Sequence, residues 1–383
     1  MEKIKVLIIF GTRPEAIKLA PLIRQMSAQT EVELCVCSTG QHKELLQQVI
    51  NFFKITVDYD LQLMQRDQNL VDLSSQMLVK LNNVMIVNKP DLVLVHGDTT
   101  TTFVATWAAF YNKIKIGHVE AGLRTDSISS PWPEEANRRL TSALANFHFA
   151  PTQGAKDNLL RENIKSDSIK ITGNTAIDSL LMSLADRETG DRYLSKFFQD
   201  HPQIAPDKST ILVTGHRREN FGQGIQSMCN ALLNIVHKSV DTQIVFPVHP
   251  NPNVKKTVEN MLGGNPNIHL TEALDYPTFI NLMNFSSCII TDSGGIQEEA
   301  PSLQKHVFIT RDTTERMEAV SAGLATLVGT NEHKIVEKVL EELSRSNNYG
   351  SCTKPNPYGD GKASERIVNF ILKQQKWLRD DKI

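Results

Sequence analysis

Three carboxylates stand at the ends of short apolar runs or at a helix start. They are Asp98 in HGDTTTT (96–102), Glu120 in HVEAGLRT (118–125) and Glu134 in PWPEEANRRL (131–140). Carboxylates converging at strand ends are costly unless they bind something or share protons. Two of them also have a plainer reading. Asp98 could N-cap a helix beginning near Thr100. Glu134 and Arg138, at i and i+4, could form an ion pair on one helix face. Cations accompany them. In FGTRPEAIKLAP (10–21), Gly11 offers a tight turn, and Arg13 and Lys18 flank a helix start. That is an anion site or a set of solvated helix charges. It matches neither GxGxxG nor a P-loop, so it argues little for a dinucleotide. In VTGHRRENFG (213–222), His216, Arg217 and Arg218 make a dense cationic loop, and His249 follows in FPVHPNP. A phosphate contact and a surface basic patch are the two readings.

The stretch ITDSGGIQEEAP (290–301) combines groups suited to different parts of one ligand. After Ser293, the N–H groups of Gly294 and Gly295 can approach a phosphate with no Cβ in the way. Glu299, about one turn into the helix, can accept hydrogen bonds from both hydroxyls of a ribose. Phosphate and ribose together describe a nucleotide. Glu298 must point roughly 100° away around the helix, so a structural or solvent-facing role is expected. Asp292 stays open between helix capping and a ligand role. Phe279 and Arg316 could line the same site, Phe279 reading equally as core. Zinc spacings of the HExxH or HxxEH kind are absent and the cysteines are not clustered, so no metal site is expected.

These residues need strands and helices to position them. The apolar pattern predicts strands over 5–10, 31–38, 92–96, 115–119 and 147–150, with helices over 14–26, 43–53, 70–87, 100–111 and 134–145. The rhythm weakens over 185–208 and restarts with strands over 210–214, 243–248, 268–271 and 288–291. Helices are predicted between them, over 225–238, 254–262 and 276–284, then over 296–303, with an amphipathic helix over 363–378. Non-alternating apolar strands separated by helices imply parallel sheets covered on both faces. The expected fold is α/β, with two Rossmann-like doubly wound domains facing a cleft. The expected division is 1–172 with a returning helix at 363–383, then 173–362. Ligands of such sheets bind beyond the carboxyl ends of the strands.

The bulk numbers exclude several classes. The net charge of −2 offers no basic excess for nucleic acid. No apolar run approaches the roughly 18 residues of a membrane span. The start lacks a signal-peptide shape, so a cytoplasmic protein is expected. Five cysteines, Cys35, Cys37, Cys229, Cys288 and Cys352, are read as buried free thiols, since most lie in apolar runs.

GTRPEAIKLAP, HGDTTTT, HVEAGLRT, PWPEEANRR, GNTAID, TGHRRENFG, TDSGGIQEEAP and TTERMEA occur in that order. As an ordered set they resemble the non-hydrolysing UDP-N-acetylglucosamine 2-epimerases of bacteria, from about residue 4 to about residue 330. The resemblance implies the GT-B arrangement and interconversion of UDP-GlcNAc and UDP-ManNAc without cofactor or metal, supplying bacterial surface polysaccharide. It implies Asp98, Glu120, Glu134 and His216 as catalytic residues. It implies Arg13, Lys18, Arg138, Phe279, Ser293, Gly294, Gly295, Glu299 and Arg316 as substrate contacts. Many members bind a second UDP-GlcNAc as activator; the corresponding positions are Gln41, Arg66, Arg217 and His249, with Glu134 shared. A homodimer is also a family expectation. Three readings compete: a UDP-sugar glycosyltransferase of GT-B fold, a hydrolysing 2-epimerase and a non-enzymatic UDP-sugar sensor. The carboxylate set and the lack of an obvious acceptor surface weigh against the first. The intact acid/base set weighs against the last.

Overall fold

A computed structural model describes residues 3–40, 43–64, 68–125, 127–215, 217, 220–346 and 354–380. The chain forms two compact units, residues 1–181 with 358–383 and residues 182–357. In the first unit the strands are β1 (Ile4–Phe10), β2 (Val32–Ser38), β3 (Tyr59–Asp60), β4 (Leu92–His96), β5 (Lys115–Val119), β6 (Phe147–Ala150) and β7 (Ile169–Ile171). All pairings are parallel, in the order β3-β2-β1-β4-β5-β6-β7. The order reverses between β1 and β4, which leaves a crevice at their carboxyl ends. In the second unit, β8 (Ser209–Thr214), β9 (Thr242–Pro247), β10 (Ile268–Thr271), β11 (Cys288–Thr291), β12 (His306–Ile309) and β13 (Ala325–Leu327) make a parallel sheet. Its order is β10-β9-β8-β11-β12-β13, reversing between β8 and β11.

Burial explains the apolar strands. β4 and β5 are buried at every position. Helices on both faces require apolar side chains on both faces of a strand. Cys35 and Cys37 lie in one core cluster of the first unit with Leu7, Ile9 and Val95. These two thiols, Cys229 and Cys288 are free and buried; Cys352 lies outside the described residues. The helix Ala363–Lys373 starts on the buried Asp178, whose carboxylate accepts from the N–H groups of Ala363 (3.1 Å) and Ser364 (2.7 Å). Two helix-start donors are thereby satisfied by a residue from elsewhere in the same unit.

Two departures from the sequence pattern stand out. The weak region contains a 14-residue helix, Arg187–Asp200, capped by Asp186. Beyond residue 303 the rhythm continues through β12, β13 and the helix Glu332–Ser346. Among the described residues, no helix is long and apolar enough to cross a membrane, and no group of three His, Cys, Asp or Glu side chains could hold a metal ion.

Candidate active site

In the first unit, Glu120 follows the last residue of β5 and takes a left-handed backbone conformation, φ 62°. A non-glycine residue rarely does so, and such strain clusters at functional sites. Its Oε2 accepts from Lys18 Nζ at 2.5 Å and from Asn174 Nδ2 at 2.9 Å. Lys18 comes from the helix Arg13–Ser27, so the helix after β1 and the loop after β5 meet at the reversal point. His96, the last residue of β4, puts Nε2 3.8 Å from the same carboxylate oxygen. Burial pushes its imidazole down to about 4, against the pull of Glu120, so it is neutral at pH 7. The next residue, Gly97, has φ 70°, and a Cβ there would lie 3.5 Å from Glu120 Oε1.

Asp98 lies in the loop following β4. Arg138 grips it, with Nε 2.9 Å and Nη2 2.6 Å from Oδ2. The capping alternative for Asp98 is overturned. Thr99 caps the helix Thr100–Tyr111 through its side chain. The expected Glu134–Arg138 pair is also replaced. Arg138 Nη1 instead bonds Glu135, 3.1 Å away, and Glu135 also holds Arg139 at 2.8 Å. Glu135 is fully buried, whereas Glu134 is half-buried at the first position of the helix Glu134–Leu144. Glu135 was not singled out in the sequence, although its i+3 and i+4 arginines were a usable signal.

Gly11 and Arg13 lie beside another residue missed in the sequence. Glu15 is buried and accepts from the N–H groups of Gly11 (3.0 Å) and Thr12 (2.8 Å) and from the hydroxyl of Thr99 (2.7 Å). Burial nevertheless raises its pKa, outweighing those bonds. This turn therefore aims its donors at the chain's own carboxylate. The signature was legible as a capping box, Thr12 to Glu15. Arg13 is half-buried.

In the second unit, Ser293 precedes the short helix Gly294–Glu299 at the carboxyl end of β11. Its own N–H is spent on Thr291 Oγ1, 2.9 Å away. The two glycines differ. A Cβ on Gly294 would lie 2.5 Å from Arg316 Cζ, so a guanidinium lies directly over the helix start. A Cβ on Gly295 meets nothing within 4 Å. Arg316 is held by Glu298 Oε1 at 2.7 Å and also pairs with Glu315. Burial would raise the Glu315 carboxyl, but Arg316 and Arg311 hold it down at about 2. Glu298 is thus structural and buried; the solvent-facing alternative is wrong. Glu299 and Phe279 are half-buried, so Phe279 is not a fully buried core residue.

Asp292 does not cap the helix Gly294–Glu299, whose start carries no side-chain cap bond. It accepts from Arg217 N–H at 2.9 Å and Asn220 Nδ2 at 3.2 Å, pinning the loop after β8 to the end of β11. His249 is exposed on the loop after β9. His216, Gln41 and Arg66 lie outside the described residues.

The buried histidines imply a pH effect on stability. His118 donates from Nε2 to the Gly97 carbonyl at 2.7 Å, since a carbonyl only accepts. Burial pushes its imidazole down to about 3. Between pH 6.5 and about 4, the unfolded chain binds protons at His96 and His118 that the folded chain refuses. Stability therefore falls as pH drops through that window, by up to about 1.4 kcal/mol per pH unit for each histidine. Denaturant titrations at pH 7, 6 and 5 check this; equal stability at all three would contradict it.

A family model described as UDP-N-acetylglucosamine 2-epimerase matches residues 24–372. The chain is 51% identical over 368 residues to the UDP-N-acetylglucosamine 2-epimerase of Escherichia coli (strain K12), with 96% of this chain and 98% of that one covered. A solved UDP-GlcNAc 2-epimerase from Neisseria meningitidis, bound to UDP-GlcNAc, is 48% identical with a TM-score of 0.89, covering 97% of this chain and 100% of that chain. The Methanocaldococcus jannaschii UDP-GlcNAc 2-epimerase in complex with UDP-GlcNAc and UDP is 34% identical with a TM-score of 0.81, covering 97% and 100%. The two parallel-sheet α/β units agree with the GT-B-like fold expected from the sequence.

Proposed function

The chain belongs to the UDP-N-acetylglucosamine 2-epimerase family, and from that premise we propose that it interconverts UDP-GlcNAc and UDP-ManNAc by inverting C2 of the sugar. One observation supports the reading for this chain's residues: two ion pairs, Lys18–Glu120 and Arg138–Asp98, lie just beyond the carboxyl ends of the adjacent strands β4 and β5, next to the reversal of strand order in the first sheet.

The chemistry accounts for such a set. The C2 proton is not beside a carbonyl, so direct abstraction is unfavourable. If the C1–O bond to UDP breaks first, or nearly so, positive charge at C1 makes that proton acidic. UDP leaves with the bonding pair, a carboxylate takes the C2 proton, and the C1–C2 double bond of a 2-acetamidoglucal forms. In the return, a diphosphate oxygen attacks C1 and a proton is delivered to the opposite face of C2. Asp98, Glu120 and Glu134 are the candidates for proton transfer and for steadying the charge at C1, with His216 at the leaving group. Arg13, Lys18 and Arg138 hold substrate and offset the carboxylate charges. Ser293, Gly294 and Gly295, with Arg316, hold the diphosphate, and Glu299 holds the ribose near Phe279. Since the Ser293 N–H is already bonded, its hydroxyl is the group left to contribute.

Two finer features accompany the reading. A second UDP-GlcNAc acts as activator through Gln41, Arg66, Arg217 and His249, with Glu134 shared. Reverse turnover of UDP-ManNAc that starts without a lag and without added UDP-GlcNAc would remove that part. The chain pairs as a homodimer. In support, Val79, Ile86 and Val87 of the helix Leu70–Asn88, and Phe110 and Tyr111 of the helix Thr100–Tyr111, are more than half exposed. Such a patch marks an interaction face; a single-chain mass on sedimentation would contradict pairing. The product would supply ManNAc units to surface polysaccharide, and growth of a deletion strain with unaltered polysaccharide would count against that role.

The activity is tested by incubating the chain with UDP-GlcNAc and, separately, with UDP-ManNAc carrying a trace of UDP-GlcNAc, and resolving the products by chromatography. Both reactions should reach the same ratio of the two nucleotide sugars. Release of free ManNAc would indicate the hydrolysing reaction, and no conversion without an acceptor would favour a transferase. Glu299→Ala should weaken UDP binding about 10- to 100-fold by calorimetry, the scale of lost hydrogen bonds to a charged group. Unchanged UDP affinity would remove Glu299 from the ribose.

A further inference from the structure

The GNTAID stretch (173–178) has so far supplied a helix cap at Asp178 but no part of the chemistry. Asn174 within it is buried, and the structure commits its polar groups to three separate parts of the first unit. Its Oδ1 accepts from Ala176 N–H at 2.9 Å, capping the helix Thr175–Leu184. Its main-chain N–H donates to the Tyr358 carbonyl at 2.7 Å, in the segment leading to the helix Ala363–Lys373. Its Nδ2 donates to Glu120 Oε2 at 2.9 Å. Because Oδ1 must face an N–H donor, the amide cannot be flipped, and the NH2 group must face Glu120.

We propose that Asn174 is a positioning residue for the Glu120 carboxylate, held in place by the returning segment at Tyr358. This rests on the reading of Glu120 as an acid/base group. Lys18 alone is a poor positioner, because an ammonium on a four-carbon stem attracts without fixing direction. Asn174 adds a short, planar donor fixed by two further bonds, and together the two donors orient Oε2. Oε1 then lies against the bare Cα of Gly97. A carboxylate that must meet one face of C2 needs this definition, since a displacement near 1 Å costs about a hundredfold in rate.

Asn174→Asp tests the proposal, with Asn174→Ser and Glu120→Gln measured alongside. Aspartate and serine both keep the helix cap. Aspartate turns the donor into a like charge facing Glu120, and serine removes the donor. Among the described residues, Lys18 from the helix after β1 and His96 at the end of β4 also face Glu120, with Asp98 in the loop beyond. Expected for Asn174→Asp are a kcat lowered about a hundredfold, KM and UDP affinity within twofold, and the pH limb governed by Glu120 moved up by about one unit. Asn174→Ser should lower kcat by about tenfold or more at unchanged melting temperature. Parental kcat and pH profile in Asn174→Asp, with Glu120→Gln inactive, would overturn positioning while leaving the Glu120 reading intact. Parental turnover by Glu120→Gln would overturn both. Loss of the fold in both Asn174 variants would assign the residue a purely structural role and overturn the proposal.

Discussion

Glu120→Gln lowers kcat for epimerisation by about a thousandfold or more, the scale of a lost acid/base group, and leaves UDP affinity within about twofold. The side-chain shape is kept, so the packing against Gly97 and the backbone at φ 62° are kept too. What goes is the ability to take or give a proton, along with the anion that Lys18 and Asn174 address. His96 cannot substitute, since burial keeps it neutral and weakly basic, at about 4. UDP affinity is spared because the proposed phosphate and ribose contacts come from the end of β11. Steady-state kinetics and UDP calorimetry on the same preparation check both halves. A variant that turns over normally but binds UDP poorly would reverse the division of labour between the two units.

Glu135→Ala destabilises the folded chain by about 3–5 kcal/mol, the cost of removing one partner from a buried ion pair. Glu135 is fully buried and serves three donors at once: Arg138, Arg139 and the Thr125 N–H at 3.1 Å. Without it, the largely buried Arg138 keeps, among the described residues, Asp98 alone as a close carboxylate partner. Activity should fall as well, because Arg138 sets the position of Asp98. Urea unfolding gives the first quantity and kcat at a temperature where the variant is folded gives the second. Glu134→Ala is the comparison; at a half-buried helix start it should cost little stability. Equal destabilisation by the two substitutions would contradict the assignment of the buried role to Glu135.

That contrast also marks how far the sequence could be read. PWPEEANRRL announces two glutamates and two arginines at helical spacing, but adjacent residues differ by about 100° around a helix. Which glutamate faces inward depends on where the helix meets β4 and its loop, a tertiary fact. β4, β5 and the helix Thr100–Tyr111 were legible to the residue, because fully buried runs leave little ambiguity, although the helix cap proved to be Thr99 rather than Asp98. The helix Arg187–Asp200 was not. Only Gly190 and Phe197 are buried along it, so its apolar stripe is too thin to show a period. β12 and β13, four and three residues long, carry equally little pattern.

Around the candidate site the difficulty was of another kind. Strand ends pointed to Asp98 and Glu120 as residues of interest, since polar side chains there must face a ligand or one another. The network that holds them was not visible. Lys18 and Glu120 are separated by 102 residues, and Asn174 lies another 54 along. Gly294 shows the same limit. Its glycine was explained by close approach of a phosphate, whereas the nearest occupant in this chain is the guanidinium of Arg316. Both explanations demand a missing Cβ, and only the structure supplies the neighbour.

Elimination and re-addition at C2 exchange the C2 proton with solvent, so isotope incorporation is the decisive measurement. The chain is incubated with UDP-GlcNAc alone in deuterated water and the sugar is followed by proton and deuterium NMR. The expected product is UDP-ManNAc carrying deuterium at C2, with UDP retained on the sugar. UDP-ManNAc formed with the original C2 proton in place, in water where carboxylate protons exchange freely, would contradict it.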